Sequence, residues 1–454
     1  MVLKEEVNAI ITKLESDEQA LLANHRHQET LSLELGDLHH ALSEAKLTDN
    51  TRKAWYLETL SREDFHQVSP YQDDKEIFNA RRDLFVAAME LHKAFVVAAW
   101  PKLKGTLAAF TLQLQGLLPP HRIAGGPMRL WDAFFLLVPL ISTSFASFPR
   151  LFRGVGNGDL AWTLIDEAGQ ATPQQAIGAI WRSRRVVIVG DPIQLEPVVG
   201  IPQELVGPLK EYCQTPDIYV PPDASVQTMA DRSNRYGTLM GANEPETAIW
   251  LGSPLVVHRR CLRPMFDIAN AIAYENKMVY GTADDHDFPA PGSSWLDVSN
   301  DDAQGHWIES QARIVMELIR DLTANQIRVN GNLRLYVITP FKVVSNNMRE
   351  MLATVFGADD AKKMCGTVHT FQGKEADYVI FLLGGDPGRP GVISGFAGRK
   401  PNLVNVAVTR AKKRLYVVGN HGFWCGASDT QGYYGKMSQL LGAGPESSPA
   451  AIRT

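Results

Sequence analysis

Trp162-Thr163-Leu164-Ile165-Asp166-Glu167-Ala168-Gly169-Gln170 runs a short β-type stretch straight into two acids. Val186-Val187-Ile188-Val189-Gly190-Asp191-Pro192-Ile193-Gln194 repeats the arrangement further along. Outward from these two, similar short apolar runs stand at Phe134–Ile141, Leu335–Ile338, Tyr378–Leu383 and Leu415–Val418, with helical patterns between them. Buried runs alternating with helices predict an α/β fold with a parallel sheet. Leu335–Ile338 is followed by Thr339-Pro340-Phe341, and Leu415–Val418 by Gly419-Asn420. Ligands of open α/β sheets bind beyond the carboxyl ends of strands, so polar groups recurring there predict one shared site.

The rest of the chain frames this region. Its 454 residues suggest about three domains. With 45% hydrophobic and 21% charged residues, the composition is that of a folded globular protein and excludes wholesale disorder. A net charge of −5 gives no global basic signature, although one local groove can still grip a phosphate backbone. Cys213, Cys261, Cys365 and Cys425 are far apart and show no metal-ligand spacing, which predicts a reduced, cytoplasmic chain. Residues 1–68 are rich in Glu, Lys, Gln, Leu and His. Val7, Ile10, Ile11 and Leu14, then Leu31, Leu35, Leu38 and Leu42, keep helical spacing and predict two amphipathic helices or a short coiled coil. A second helical stretch covers about Lys75 to Leu118. Phe134–Ile141 is too short to span a bilayer and reads as a buried strand, so no membrane partner is expected. The tail after Cys425 reads as disordered.

A carboxylate at the end of a buried strand is the Walker B arrangement, in which it holds Mg²⁺ bridging nucleotide phosphates. Asp166 fits that place, and Glu167 beside it can deprotonate the attacking water. Alone, the pair reads equally well as a helix cap or a solvated turn. Gln194 strengthens it, because an amide offers both donor and acceptor to a phosphate and a water. Arg259, Arg260 and Arg263 cluster in LVVHRRCLRP, and Arg410 precedes Ala411-Lys412-Lys413-Arg414-Leu415. Taken singly, each arginine is ordinarily a solvated surface cation.

Order and company point further. LIDEAGQATPQQA, GDPIQLEPVV, HRRCLRPMFDIAN, VITPF, GTVHTFQGKEADYVIF and NVAVTRAKKRLYVVG resemble motifs II, III, IV, IVa, V and VI of superfamily 1 helicases. The likeness covers residues 140–420 and is greatest to the branch of the nonsense-mediated-decay helicase and the DNA-end-processing helicase-nucleases. It implies two RecA-like P-loop NTPase-type domains, the first incomplete, with an N-terminal helical or coiled-coil arm. The expected divisions are an arm at 1–118, the later half of the first domain at 125–205 and a connecting segment at 206–249. The second domain is expected at 250–425 and the tail at 426–454. By resemblance Asp166 binds Mg²⁺, Glu167 is the general base, Gln194 senses the γ-phosphate and Asp191 supports its turn. Arg260 and Arg410 are then arginine fingers, Gly373 admits backbone to the nucleotide, and Glu375 bonds the ribose. Thr143, Thr339 and Thr370 lie on the nucleic-acid side. Pro264 follows Arg260 by four residues, where the family usually has three.

A P-loop needs Gly-x-x-x-x-Gly-Lys-Ser/Thr to cradle phosphates. Only Gly373-Lys374 and Gly435-Lys436 occur, followed by Glu and Met, and neither fits. The expectation is a helicase motor using ATP and Mg²⁺ on single-stranded or duplex nucleic acid, DNA ahead of RNA. The chain is expected to enter that motor part-way and to be inactive alone. The alternative is a non-catalytic nucleic-acid-binding or regulatory remnant.

Overall fold

The computed structural model describes residues 75–240, 248–283, 292–322, 328–329, 332–391, 393–426 and 431–442. The coiled-coil expectation for residues 1–68 lies outside them. Lys75–Leu114 is one long helix, α1, and Met128–Leu137 is α2. The strand expected over Phe134–Ile141 is therefore not found: its first part is helical and the remainder is without regular structure. Trp131, Phe134 and Phe135 recur at helical spacing. That puts Trp131 and Phe134 against Phe110 of α1, and Trp131 also against Phe152. Among the described residues one helical stretch, Phe78–Leu114 of α1, is long and apolar enough to cross a membrane by length and composition alone. Phe78, Phe85, Leu91 and Phe95 on it are exposed.

The two decisive runs form a parallel pair, β1 (Leu160–Ile165) and β2 (Ser183–Ile188), joined through α3 (Pro173–Arg182). Ile165, Ala168 and Ala176 pack with Val226 of α4 (Val226–Ser233) on one side. On the other side Trp162 is 56% and Leu164 63% exposed, with Val187 and Val189 also open, and among the described residues no helix covers them. Parallel strands are ordinarily covered on both faces, so this pair is an unusual surface for water to meet.

The second half is built after α5 (Met265–Ala273) on β3 (Ser294–Asp297), α6 (Glu309–Asp321), β4 (Leu335–Thr339) and α7 (Lys342–Phe356). It continues through β5 (Cys365–Thr367), β6 (Ala376–Leu382), α8 (Asn402–Thr409) and β7 (Ala411–Gly419). The five strands lie in the order β5-β4-β6-β7-β3 and every pair is parallel. Val379, Ile380, Phe381, Val417 and Val418 are fully buried, as continuous apolar runs under two helical layers must be. Ile193 and Leu195, which belong to the loop after β2, pack into this same core.

The expected disordered tail needs a correction. Within residues 431–442 a short helix, α9 (Lys436–Leu440), puts Met437 and the preceding Tyr434 fully inside the core. Tyr434, Met437 and Leu441 repeat at helical spacing, and that small apolar stripe outweighs the polar composition around it.

Candidate active site

Asp166 and Glu167 follow β1, and Asp191 follows the end of β2. The strand ladder extends beyond both: Val189 N–H donates to Ile165 O at 2.8 Å, and Ala168 N–H to Val189 O at 3.0 Å. This brings the two loops together, and Gly169 permits it. A Cβ there would lie 2.8 Å from Asp191 O, which no real side chain tolerates. Glu167 holds φ 53, in the left-handed region that non-glycine residues seldom occupy. Such conformations persist where surrounding contacts enforce them, and they gather at working sites.

The second half closes on Glu167. The Gln170 amide donates to Glu167 Oε2 at 3.0 Å, and the Gln372 amide, from the opposite half, reaches the same oxygen at 3.3 Å. A Cβ added at Gly373, which holds φ 74, would meet the Glu167 carboxylate at 3.5 Å. Glu375 divides its carboxylate between Arg260 and Lys412, at 3.1 Å each. A ribose at Glu375 would thus share it with two cations. Arg410 is 1% exposed, and its guanidinium donates to Val406 O, Lys374 O and Thr409 Oγ1 at 3.2, 3.1 and 3.3 Å. Burial, and then the neighbouring Arg260, lower its affinity for its proton, while Glu167 and Glu375 raise it.

Asp191 anchors the next loop. Its carboxylate accepts from Ile193 N–H at 2.9 Å, from the Gln194 amide at 3.1 Å and from Tyr274 Oη–H at 2.5 Å. Burial pushes its pKa up, against the pull of those hydrogen bonds. Asn402 donates to Gln194 O and Asn405 to Ile193 O, so α8 grips the loop. Lys400 binds Glu196 and, at 3.3 Å, Asp223.

One shared site does form, but not where strand ends alone placed it. Asp166, Glu167, Asp191 and Gln194 follow the carboxyl ends of β1 and β2. Gly373, Glu375 and Arg410 precede the amino ends of β6 and β7. Thr339 and Gly419 close the opposite edge of the five-stranded sheet, away from the cleft. Thr339 is fully buried and its hydroxyl accepts from Phe341 N–H at 3.4 Å, so the backbone contact expected of it is not available here. Thr143 and Thr370 are exposed, as that role requires.

The sequence reading missed Tyr274, Gln372, Asn402 and Asn405. Gln372 and Asn405 were within reach: Gln372 opens Gln-Gly-Lys-Glu, and Asn405 is the polar residue in the otherwise apolar run Leu403–Val408. No group of three or more His, Cys, Asp or Glu among the described residues can enclose a metal. Asp166 is a single exposed carboxylate at its strand end. That suits Mg²⁺, which takes one or two carboxylates and completes its shell with phosphates and water.

Two family models described as AAA domain match this chain, one over residues 141–200 and the other over 268–422. The first spans Asp166 through Gln194, and the second spans Tyr274 through Arg410. Residues 141–200 and 268–422 thus hold the two sides that meet at Glu167, and the two matches support the resemblance to superfamily 1 helicases. It is 22% identical over 319 residues to probable helicase senataxin of Mus musculus, covering 66% of this chain and 11% of that protein. It is 22% identical over 282 residues to the DNA replication ATP-dependent helicase/nuclease JHS1 of Arabidopsis thaliana, covering 57% of this chain and 18% of that protein. The chain therefore spans under a fifth of these relatives' length. Solved neighbours include the arterivirus nonstructural protein 10 helicase, at 16% identity and TM-score 0.25, covering 57% of this chain and 39% of that one. The same helicase solved with DNA reaches 14% identity and TM-score 0.27, covering 61% and 42%. Overlaps that weak carry no structural argument.

Proposed function

We propose that this chain carries most of an ATP-dependent nucleic-acid motor, with two RecA-like halves facing each other across the cleft. The observation that carries the reading is Glu167 of one half meeting Gln372 and the turn at Gly373 of the other, two residues before Glu375 with its partners Arg260 and Lys412. Asp166 would hold Mg²⁺, and the ion would neutralise phosphate charge. Glu167 accepts a proton from the attacking water, and Gln194 orients that water. Arg260 and Arg410 offset charge building on the transferred phosphoryl group, and for Arg410 this requires leaving its carbonyl partners. Thr143 and Thr370 touch the nucleic-acid backbone, with DNA as the favoured polymer. The four cysteines are free, in keeping with a reducing cytoplasm.

The 454 residues contain no Gly-x-x-x-x-Gly-Lys-Ser/Thr, and hydrolysis by this motor needs such a phosphate cradle. The exposed apolar face of β1 and β2 is a surface on which further strands or helices could pack. A non-catalytic nucleic-acid-binding remnant is the second reading, and the same missing cradle favours it.

The test compares this chain with a version extended upstream to include the loop. Nucleic-acid-stimulated hydrolysis should appear only in the extended form and vanish in Glu167→Gln, which keeps the shape but cannot take a proton. Single-stranded DNA should bind with affinity that falls steeply as salt rises, as backbone contacts require. An extended chain that binds DNA yet shows no hydrolysis would leave the remnant reading standing.

A further inference from the structure

Gln194 can orient water only if its side chain is held, and the first half does not hold it alone. Asp191 Oδ2 receives both the Gln194 amide and the Tyr274 hydroxyl, so one carboxylate oxygen joins the sensor side chain to the opposite half. Tyr274 closes α5 and in turn accepts from Asn405 Nδ2 at 2.9 Å. The polarity of this chain is forced. An amide nitrogen only donates and a carboxylate only accepts, so the Tyr274 proton points to Asp191 and its lone pair to Asn405. Burial and the Asp191 charge raise the Tyr274 pKa well above its ordinary value, which keeps that proton in place.

Asn405 is fully buried and sits five residues before Arg410 on the helix that delivers it. It also donates to Ile193 O at 3.2 Å, while Asn402 holds Gln194 O. Ile193 and Leu195 are seated in the second-half core between these contacts. The Gln194 loop thus belongs by connection to one half and by packing to the other.

We propose that Tyr274 is a positioning residue: through Asp191 it sets the orientation of Gln194, and through Asn405 it links that orientation to the helix carrying Arg410. This rests on the function proposed above for Gln194 and Arg410. Loss of the hydroxyl leaves a buried carboxylate oxygen and a buried amide each short of one partner, a cost concentrated at this junction.

The test is Tyr274→Phe, which keeps the ring and deletes only the hydroxyl. In the 454-residue chain, hydrogen exchange at 191–195 and 402–406 should rise together by about tenfold or more, with other core strands unchanged. In the extended, hydrolysing form, kcat should fall with KM for nucleotide unchanged. Tyr274→Phe should then add nothing further to Gln194→Ala. Unchanged exchange in both segments, or a rise shared by the whole chain, overturns the proposal, as do losses in kcat that multiply in the double variant. Should the extended wild type fail to hydrolyse nucleotide, the motor reading falls, and exchange alone still decides whether Tyr274 couples the two segments.

Discussion

Arg410→Ala separates the two candidate arginine fingers by stability before any activity is measured. The Arg410 guanidinium is buried and makes three hydrogen bonds, to Val406 O, Lys374 O and Thr409 Oγ1. Hydrogen bonds from a charged donor contribute about 1.5–3 kcal/mol each, and an acceptor left buried and unpaired costs about 1–3 kcal/mol. Two effects reduce the sum. Val406 O also accepts from the Thr409 hydroxyl at 3.3 Å, and removing Arg410 also relieves a charge that burial and Arg260 disfavour. The net expectation is a loss of about 2–4 kcal/mol, in the range of large single-site effects. Arg260 offers the contrast. Its partner is Glu375, the two side chains are 42% and 43% exposed, and such pairs contribute about 0–1 kcal/mol once screened by solvent. Urea unfolding followed by tryptophan fluorescence is suited to the comparison, because Trp295 and Trp424 are fully buried in the core that holds Arg410. Arg410→Ala should lower the midpoint clearly at unchanged slope, and Arg260→Ala should barely move it. Equal shifts for the two variants would refute the reasoning. If it holds, Arg260 is the cleaner probe of catalysis, since loss of activity in Arg410→Ala mixes chemistry with unfolding.

Glu375→Gln should change stability by under about 1 kcal/mol, since both of its ion pairs are partly exposed, yet weaken nucleotide binding to the extended chain in titration calorimetry. Gly169→Ala should destabilise by about 1–3 kcal/mol in the same urea assay, because its Cβ would press on Asp191 O at 2.8 Å. His258 gives a pH signature. Burial, reinforced by Arg260, lowers its pKa to about 4, and it accepts from Cys261 N–H at 2.9 Å. A depressed histidine contributes stability that is present above the unfolded value of about 6.5 and is lost as pH falls toward 4, up to about 3 kcal/mol. Unfolding midpoints measured across that window should flatten in His258→Gln, and an unaltered pH slope would count against a buried neutral imidazole.

What the sequence disclosed, and what it withheld, follows from how far each feature depends on distant residues. Asp166, Glu167 and Asp191 could be placed because a strand and the loop after it are local, and Gln194 with the ordered motifs around them outweighs the cap and turn readings. Phe134–Ile141 misled because a short apolar run serves strand and helix alike. Only the spacing back to Trp131, together with Phe110 as a surface to pack on, settles its first part as helix. The mistake over Thr339 and Gly419 has a different origin. Polar residues flank both ends of every strand, and nothing local says which end a second sheet will meet. Here the carboxyl ends of one sheet face the amino ends of the other, so Glu375 and Arg410 belong to the cleft while Thr339 is sealed beneath Phe341. Tyr274 was the hardest to see. A tyrosine closing an apolar helix is ordinarily core, and its hydroxyl matters only through Asp191 and Asn405, which lie 83 and 131 residues away along the chain. The residues that join the two halves are therefore least visible in sequence, because their partners belong to another element and their own neighbours are simply hydrophobic.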